Sequence, residues 1–240
     1  MTLQDKVIVV TGASSGIGDA IARELSSAGA RLVITARRAE RLTALAAALP
    51  GPCATLAAAI EAPATAQTLL DLALAQYGRV DGLINNAGLF VAGSVDSIDL
   101  DELAQMTRVN FDAVVRCSYV FARHLKPQGS GAIINVSSVA AYLSSSSVGA
   151  YSGLKHALEV FTTALRVELA PFGVRVGSIA PGTTETEIFD RLRAQGQPVR
   201  ADQTPPLAPA DIASAVRFML EQPARANIAR VLLVSSAESA

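Results

Sequence analysis

The chain has 240 residues, half of them hydrophobic and 17% charged, which gives enough apolar surface for a sizeable core in a single domain spanning 1–240. A formal net charge of −1 with mixed signs leaves no electrostatic footprint for nucleic acid or an anionic membrane, and no apolar run approaches the roughly 18 residues of a membrane span. Met-Thr-Leu-Gln-Asp-Lys at the N-terminus lacks the regions of a signal peptide, and Cys53 and Cys117 are too few for a disulfide framework or a metal site, so a cytoplasmic protein without a metal is expected.

Residues 6 to 10, Lys-Val-Ile-Val-Val, form a short β-branched run suited to a parallel sheet covered on both faces. Thr11-Gly-Ala-Ser-Ser-Gly-Ile-Gly18 follows, and then a helical pattern with Ile17, Ile21, Leu25 and Ala28 on one side. In a strand, glycine-rich turn and helix, Gly12, Gly16 and Gly18 let the backbone approach a phosphate, and the helix N-terminus offers it unpaired N–H groups. At the start of a βαβ pattern this is a dinucleotide signature.

The second strand, 31 to 35, ends in Ala36-Arg37-Arg38. An NAD site usually carries an acidic residue here for the adenosine ribose, and none is present. The guanidinium fork of Arg37 suits a 2′-phosphate instead, each charged hydrogen bond contributing roughly 1.5–3 kcal/mol, so NADP(H) is the expected cofactor. Arg38 and Arg41 belong either to the same phosphate end or to the solvated face of the next helix.

Helix is expected over 38–49 and 63–77, strand over 53–58 and 80–85, and a long helix over 99–126 containing Asn110. Gly131 to Ser137 reads as a fifth strand whose tip carries Ser137 and Ser138. The next helix has an apolar stripe through Leu158, Phe161, Leu165 and Leu169, and bears Tyr151 and Lys155 four apart on one face. Of the four tyrosines only Tyr151 has lysine at that spacing. An ammonium beside a phenol stabilises the phenolate and so lowers the usual value of about 10. Strand 174–180, helix 210–221 and strand 229–234 complete the pattern, and 187–209, rich in Pro, Gln, Arg and Asp, reads as an aperiodic lid over the site. Strand then helix throughout implies right-handed crossovers and an α/β, doubly wound, Rossmann-type sheet of seven parallel strands with helices on both faces.

With these residues in order, the chain resembles the short-chain dehydrogenase/reductase family over nearly its whole length: Thr11-Gly-Ala-Ser-Ser-Gly-Ile-Gly18, Asn85-Asn-Ala-Gly88, Asn110, Ser138, Tyr151-x-x-x-Lys155 and Pro181-Gly-Thr-Thr-Glu-Thr186. The resemblance implies a catalytic tetrad of Asn110, Ser138, Tyr151 and Lys155, and it selects Ser138 over Ser137 because the family's serine lies thirteen positions before its tyrosine. It implies Tyr151 as general acid or base, Lys155 as modulator of the phenol and partner of the nicotinamide ribose, Ser138 as donor to the substrate oxygen, and Asn110 as anchor of a proton-relaying water. Cofactor contacts are implied at Gly12, Ser14, Ser15, Gly16, Ile17, Gly18, Arg37, Arg38, Ala59, Ile60, Asn86, Ala87, Gly88, Tyr151, Lys155, Pro181, Gly182, Thr184 and Thr186. Where the family often has an Asp-Val pair for the adenine, this chain reads Ala58-Ala59-Ile60-Glu61. The Asn227-Ile-Ala-Arg-Val-Leu-Leu-Val234 ending and the Glu-Thr-Glu stretch are similar to an NADP-dependent branch acting on short hydroxy acids or small aldehydes.

The function expected is hydride transfer between nicotinamide and a carbonyl or secondary alcohol, by a homotetramer or homodimer; the alternative is a catalytically silent NADP-binding regulator of the same fold. Leu89, Phe90, Val139, Tyr142, Leu143, Val148, Ile188 and Phe189 are expected to line an apolar substrate end, and Arg191 or Arg193 to meet a carboxylate should the substrate be a hydroxy acid.

Overall fold

Seven short strands make one sheet, and their residues explain why both faces are covered. The computed structural model describes residues 2–143, 146–194, 202 and 204–237. The strands β1 (Val7–Thr11), β2 (Arg31–Ala36), β3 (Cys53–Ala57), β4 (Gly82–Asn85), β5 (Gly131–Val136), β6 (Val174–Pro181) and β7 (Arg230–Leu233) pair in the order β3-β2-β1-β4-β5-β6-β7, every pairing parallel. All five residues of β1 are buried, with Ile8 and Val10 in the core on one face of the sheet and Val7 and Val9 in the core on the other. A strand with two buried faces has no polar side to show, which is why its sequence is continuous rather than alternating.

One core is closed by α1 (Gly16–Ser27), α2 (Ala39–Ala48) and α8 (Pro209–Glu221), through Ile21, Leu25, Leu42, Leu45, Ile212 and Val216. The other is closed by α3 (Thr65–Tyr77), α5 (Ala113–Gln128) and α6 (Gly149–Leu169), through Leu69, Phe121, Leu125, Leu165 and Leu169. Winding reverses between β1 and β4, and the carboxyl ends of those two strands open into a crevice.

The helix expected over 99–126 is in fact α4 (Leu100–Thr107), a π turn at Arg108–Asp112, and α5. Asp99 caps it, Oδ1 accepting from the N–H groups of Asp101 and Glu102. The segment after β6 also differs from expectation: α7 (Glu187–Ala194) is regular helix where an aperiodic lid was anticipated, and positions 195–201 and 203 of that lid lie outside the described residues. A parallel bridge between Thr184 and Leu207 brings the two ends of the excursion together. Among the described residues no helix is long and apolar enough to cross a membrane, and no group of three or more His, Cys, Asp or Glu could hold a metal ion.

Candidate active site

The crevice at the β1–β4 switch deepens into a cavity of about 950 Å³. Gly12, Ser14, Ser15, Gly16, Ile17 and Gly18 form one wall. Gly12 has φ +69°, and a Cβ there would lie 2.7 Å from the Ala87 Cα; at Gly18 it would lie 2.3 Å from the Gly12 carbonyl oxygen. These glycines are therefore required by contact of the turn with itself and with the Asn86–Ala87 strand end, besides any phosphate. Asn86 locks that contact, its Nδ2 donating to the carbonyls of Thr11 and Gly12. The Ser15 side chain makes no cap bond to α1, so the first-turn N–H groups are left for a ligand.

At the far end stand Ser138, Tyr151 and Lys155. Ser138 lies two residues past the end of β5 in extended conformation and caps the short turn Val139–Ala141, its Oγ accepting from the Ala140 N–H; the same hydroxyl acts on the Tyr151 phenol, lowering its pKa. Ser137 also lines the cavity, but its buried hydroxyl has no partner among the described residues. Tyr151 packs edge-on to Phe90, ring centroids 4.9 Å apart. Lys155, 6% exposed, donates to the Val136 carbonyl at 2.9 Å, its Nζ 5.8 Å from the tyrosine ring centroid.

The expected depression of the phenol's pKa is reversed in the folded chain. Burial raises Tyr151, and the Ser138 hydroxyl only partly offsets it. Burial also pulls Lys155 down to about 8, against the opposing pull of Glu159. A value near 8 leaves Lys155 mostly an ammonium at neutral pH, so it is burial that decides the direction at the phenol.

Two anticipated site residues are not cavity-lining. Asn110, 1% exposed, spends both ends of its amide on the Leu89 peptide, accepting from its N–H at 2.7 Å and donating to its carbonyl at 2.8 Å. Ala59 faces away, its carbonyl taken by Thr65, whereas Ala58, Ile60 and Glu61 line the wall. The other anticipated cofactor residues, from Arg37 and Arg38 to Asn86, Ala87, Gly88, Pro181, Gly182, Thr184 and Thr186, all border the cavity.

Arg38 is half-buried and Arg41 exposed, and both are paired. Arg38 donates to Ser14 and Ser15 and pairs with Glu187 at 2.9 Å, and Arg41 pairs with the other oxygen of the same carboxylate. Glu187 thus ties the start of α7 to the glycine turn, a role that spacing could not reveal because the partners are 149 and 146 residues apart. At the substrate end Leu89, Phe90, Val139, Val148 and Phe189 line the cavity, but Tyr142 and Leu143 do not; Tyr142 lies under Arg230 instead. Arg193 is engaged by Glu185, Asp190 and Asp202, and the side chains of Ile188 and Arg191 lie outside the described residues.

The family model for short chain dehydrogenases matches residues 6–197. The chain belongs to the short-chain dehydrogenase family. An uncharacterized oxidoreductase of Staphylococcus epidermidis is 31% identical over 237 residues, covering 96% of this chain and 97% of the relative. Among solved structures, levodione reductase superposes with TM-score 0.89 at 25% identity, covering 97% of each chain. Serine dehydrogenase in its closed form with NADP+ gives 0.89 at 27% identity, covering 98% of this chain and 96% of that one.

Short-chain dehydrogenases use nicotinamide cofactors, and the residues here fit one. The cavity runs from two arginines, past an uncapped helix N-terminus, to a tyrosine and a lysine. Cys53 and Cys117 stand apart from it, their thiols pushed up by burial to about 11 and about 12 and therefore unreactive.

Proposed function

We propose that the protein is an NADP(H)-dependent carbonyl reductase or alcohol dehydrogenase of the CH–OH class, reducing a ketone or aldehyde or oxidising the corresponding alcohol or hydroxy acid. The observation that carries this reading is that Ser138, the Tyr151 phenol and Lys155 one turn on line one end of a cavity whose opposite end holds Arg37 and Arg38. Bound nicotinamide would supply or accept the hydride. Ser138 holds the substrate oxygen by hydrogen bonding, and Tyr151 passes it a proton. A phenol raised by burial stays protonated at neutral pH, which suits the reductive direction. Lys155 holds the ribose end and supports the tyrosine. With the Asn110 side chain committed to Leu89, its part in the relay is to hold the π turn and the Leu89 wall in place.

Preference for NADP(H) rests on Arg37, which is exposed on the cavity rim with no hydrogen bond among the described residues and no acidic neighbour in the ribose position. The serine dehydrogenase neighbour is described with NADP+, while a 3-ketoacyl-(acyl-carrier-protein) reductase from Brucella melitensis, 27% identical, is described with NADH, so likeness alone does not choose. An apolar carbonyl compound is the favoured substrate class, because the lining is aliphatic and aromatic and Arg193 is already paired. The whole chain acts as one catalytic domain in the cytoplasm, with the segment 187–209 as substrate lid.

Tyr151→Phe tests the mechanism: turnover of NADPH against a panel of aldehydes and ketones should fall by about a thousandfold or more, while NADPH binding by fluorescence titration stays within about threefold of wild type. Retained turnover would remove Tyr151 from the chemistry. Arg37→Asp tests the cofactor: the NADPH/NADH ratio of kcat/KM should drop by about 10- to 150-fold, and an unmoved ratio would overturn the 2′-phosphate role.

A further inference from the structure

Behind Lys155 lies a charged cluster that the proposed chemistry does not use. Glu159 follows Lys155 by one helical turn on the same face of α6, and the two side chains are 3% and 6% exposed. Its Oε2 accepts from the Ser178 Oγ of β6 at 2.8 Å and from the Arg230 Nε of β7 at 3.0 Å. Ser178 and Arg230 are register partners in the sheet, so the carboxylate sits across the β6–β7 step as Lys155 sits over the end of β5. The buried Oε1 has no hydrogen-bond partner among the described residues. Arg230 in turn lies 5.2 Å over the ring of Tyr142, whose phenol is pushed up to about 12 by burial and then by the Glu159 charge.

A buried carboxylate with one bare oxygen is costly, and an amide or apolar side chain at this place would be less so. What the carboxylate supplies is a negative charge beside a buried ammonium. Desolvation pushes the ammonium towards its neutral amine, and Glu159 is the influence that opposes this. The groups that face Glu159 are Lys155 on its own helix, Arg230 from β7 and Tyr142 from the segment after β5.

We propose that Glu159 is a positioning residue that keeps Lys155 in its ammonium form, and that Arg230, gripping the same carboxylate from the sheet edge, limits how much of that negative charge reaches the lysine. This rests on the reading that Lys155 supports Tyr151. The catalytic lysine is thereby joined, through one carboxylate, to a half-exposed arginine on the last strand.

The test compares Glu159→Gln with Arg230→Gln. In cofactor-free protein, the pH dependence of Lys155 acetylation by acetic anhydride is read by peptide mass spectrometry; in the same variants, the alkaline limb of reductive kcat/KM is measured. Glu159→Gln removes the negative charge, so both midpoints should move about one pH unit lower. Arg230→Gln removes the competing cation, so both should move higher. Opposite shifts from the two halves of one ion pair are not the outcome of a merely structural role, which would move both alike. Unmoved midpoints, or shifts of the same sign in both variants, overturn the proposal. Should Glu159→Gln fail to fold, the Arg230→Gln midpoint decides alone: a rise supports the proposal, and no change or a fall overturns it. The labelling arm does not depend on turnover, so a Tyr151→Phe enzyme that remained active would sink the mechanism without touching this result.

Discussion

Lys155 carries a stability consequence that is separate from its chemistry. Its folded-state value is about 8 against an ordinary 10.5, because burial disfavours the charge. Between those values the unfolded chain binds more protons than the folded one, so stability rises with pH across that window. Below it the penalty is fully present, on the order of 3 kcal/mol. Wild-type protein should therefore gain stability from pH 8 to 10.5 relative to Lys155→Met, in denaturant titrations repeated along the pH series. Parallel curves for the two proteins would show that the ammonium is not desolvated. The spacing marks Tyr151 and Lys155 as a pair on one helix face; the direction of the phenol's shift was not legible, since burial depends on Phe90 and the surrounding walls rather than on the Tyr-x-x-x-Lys pattern.

Among the elements, the first strand–turn–helix unit is the least tolerant of change. At Gly18 an added Cβ would meet the Gly12 carbonyl oxygen at 2.3 Å and the Asn86 Nδ2 at 2.5 Å, backbone and a committed side chain that cannot both withdraw. Gly18→Ala should cost about 1–3 kcal/mol in urea unfolding and weaken NADPH binding at least tenfold, by an order-of-magnitude reading of a displaced anion cradle. Gly153→Ala is the control: nothing lies within 4 Å of where its Cβ would sit on the exposed side of α6, and the helix should gain about 0.8–1 kcal/mol. Equal effects at the two positions would mean that close approach is not what Gly18 is for. Sequence placed both glycines, one in a turn motif and one in a helix, but only the meeting of the turn with Asn86, from a strand some seventy residues later, separates them.

For the whole molecule, several large apolar side chains among the described residues remain exposed, Val95 and Leu100 most of all. Val160 and Val167, 60% and 61% exposed, lie seven apart on the outer face of α6, and Tyr119 of α5 packs on the neighbouring Phe161; Phe218 of α8 and Leu232 of β7 are exposed elsewhere. If the chain assembles as the homotetramer or homodimer expected from sequence, these are the side chains to test as subunit contacts. Val160→Glu with Val167→Glu should halve the mass seen by light scattering, and Phe218→Glu should do the same. An assembly of unchanged mass in both variants would place the contacts elsewhere.

The succession of strands and helices along the chain and the residue types at both ends of the cavity follow from local patterns, whereas the crevice between β1 and β4 comes from how the strands pair. Apolar runs, a glycine turn, and a phenol and an amine four apart are all short-range, so one sequence contains them. Tertiary structure decided what is long-range. Glu187 reaches Arg38 and Arg41 across the chain, Asn110 turns its amide to Leu89, and Glu159 meets Arg230 over β6. A charge or an amide finds its partner only when separate elements have packed, and burial, which sets how strongly the pair interacts, exists only in the packed chain.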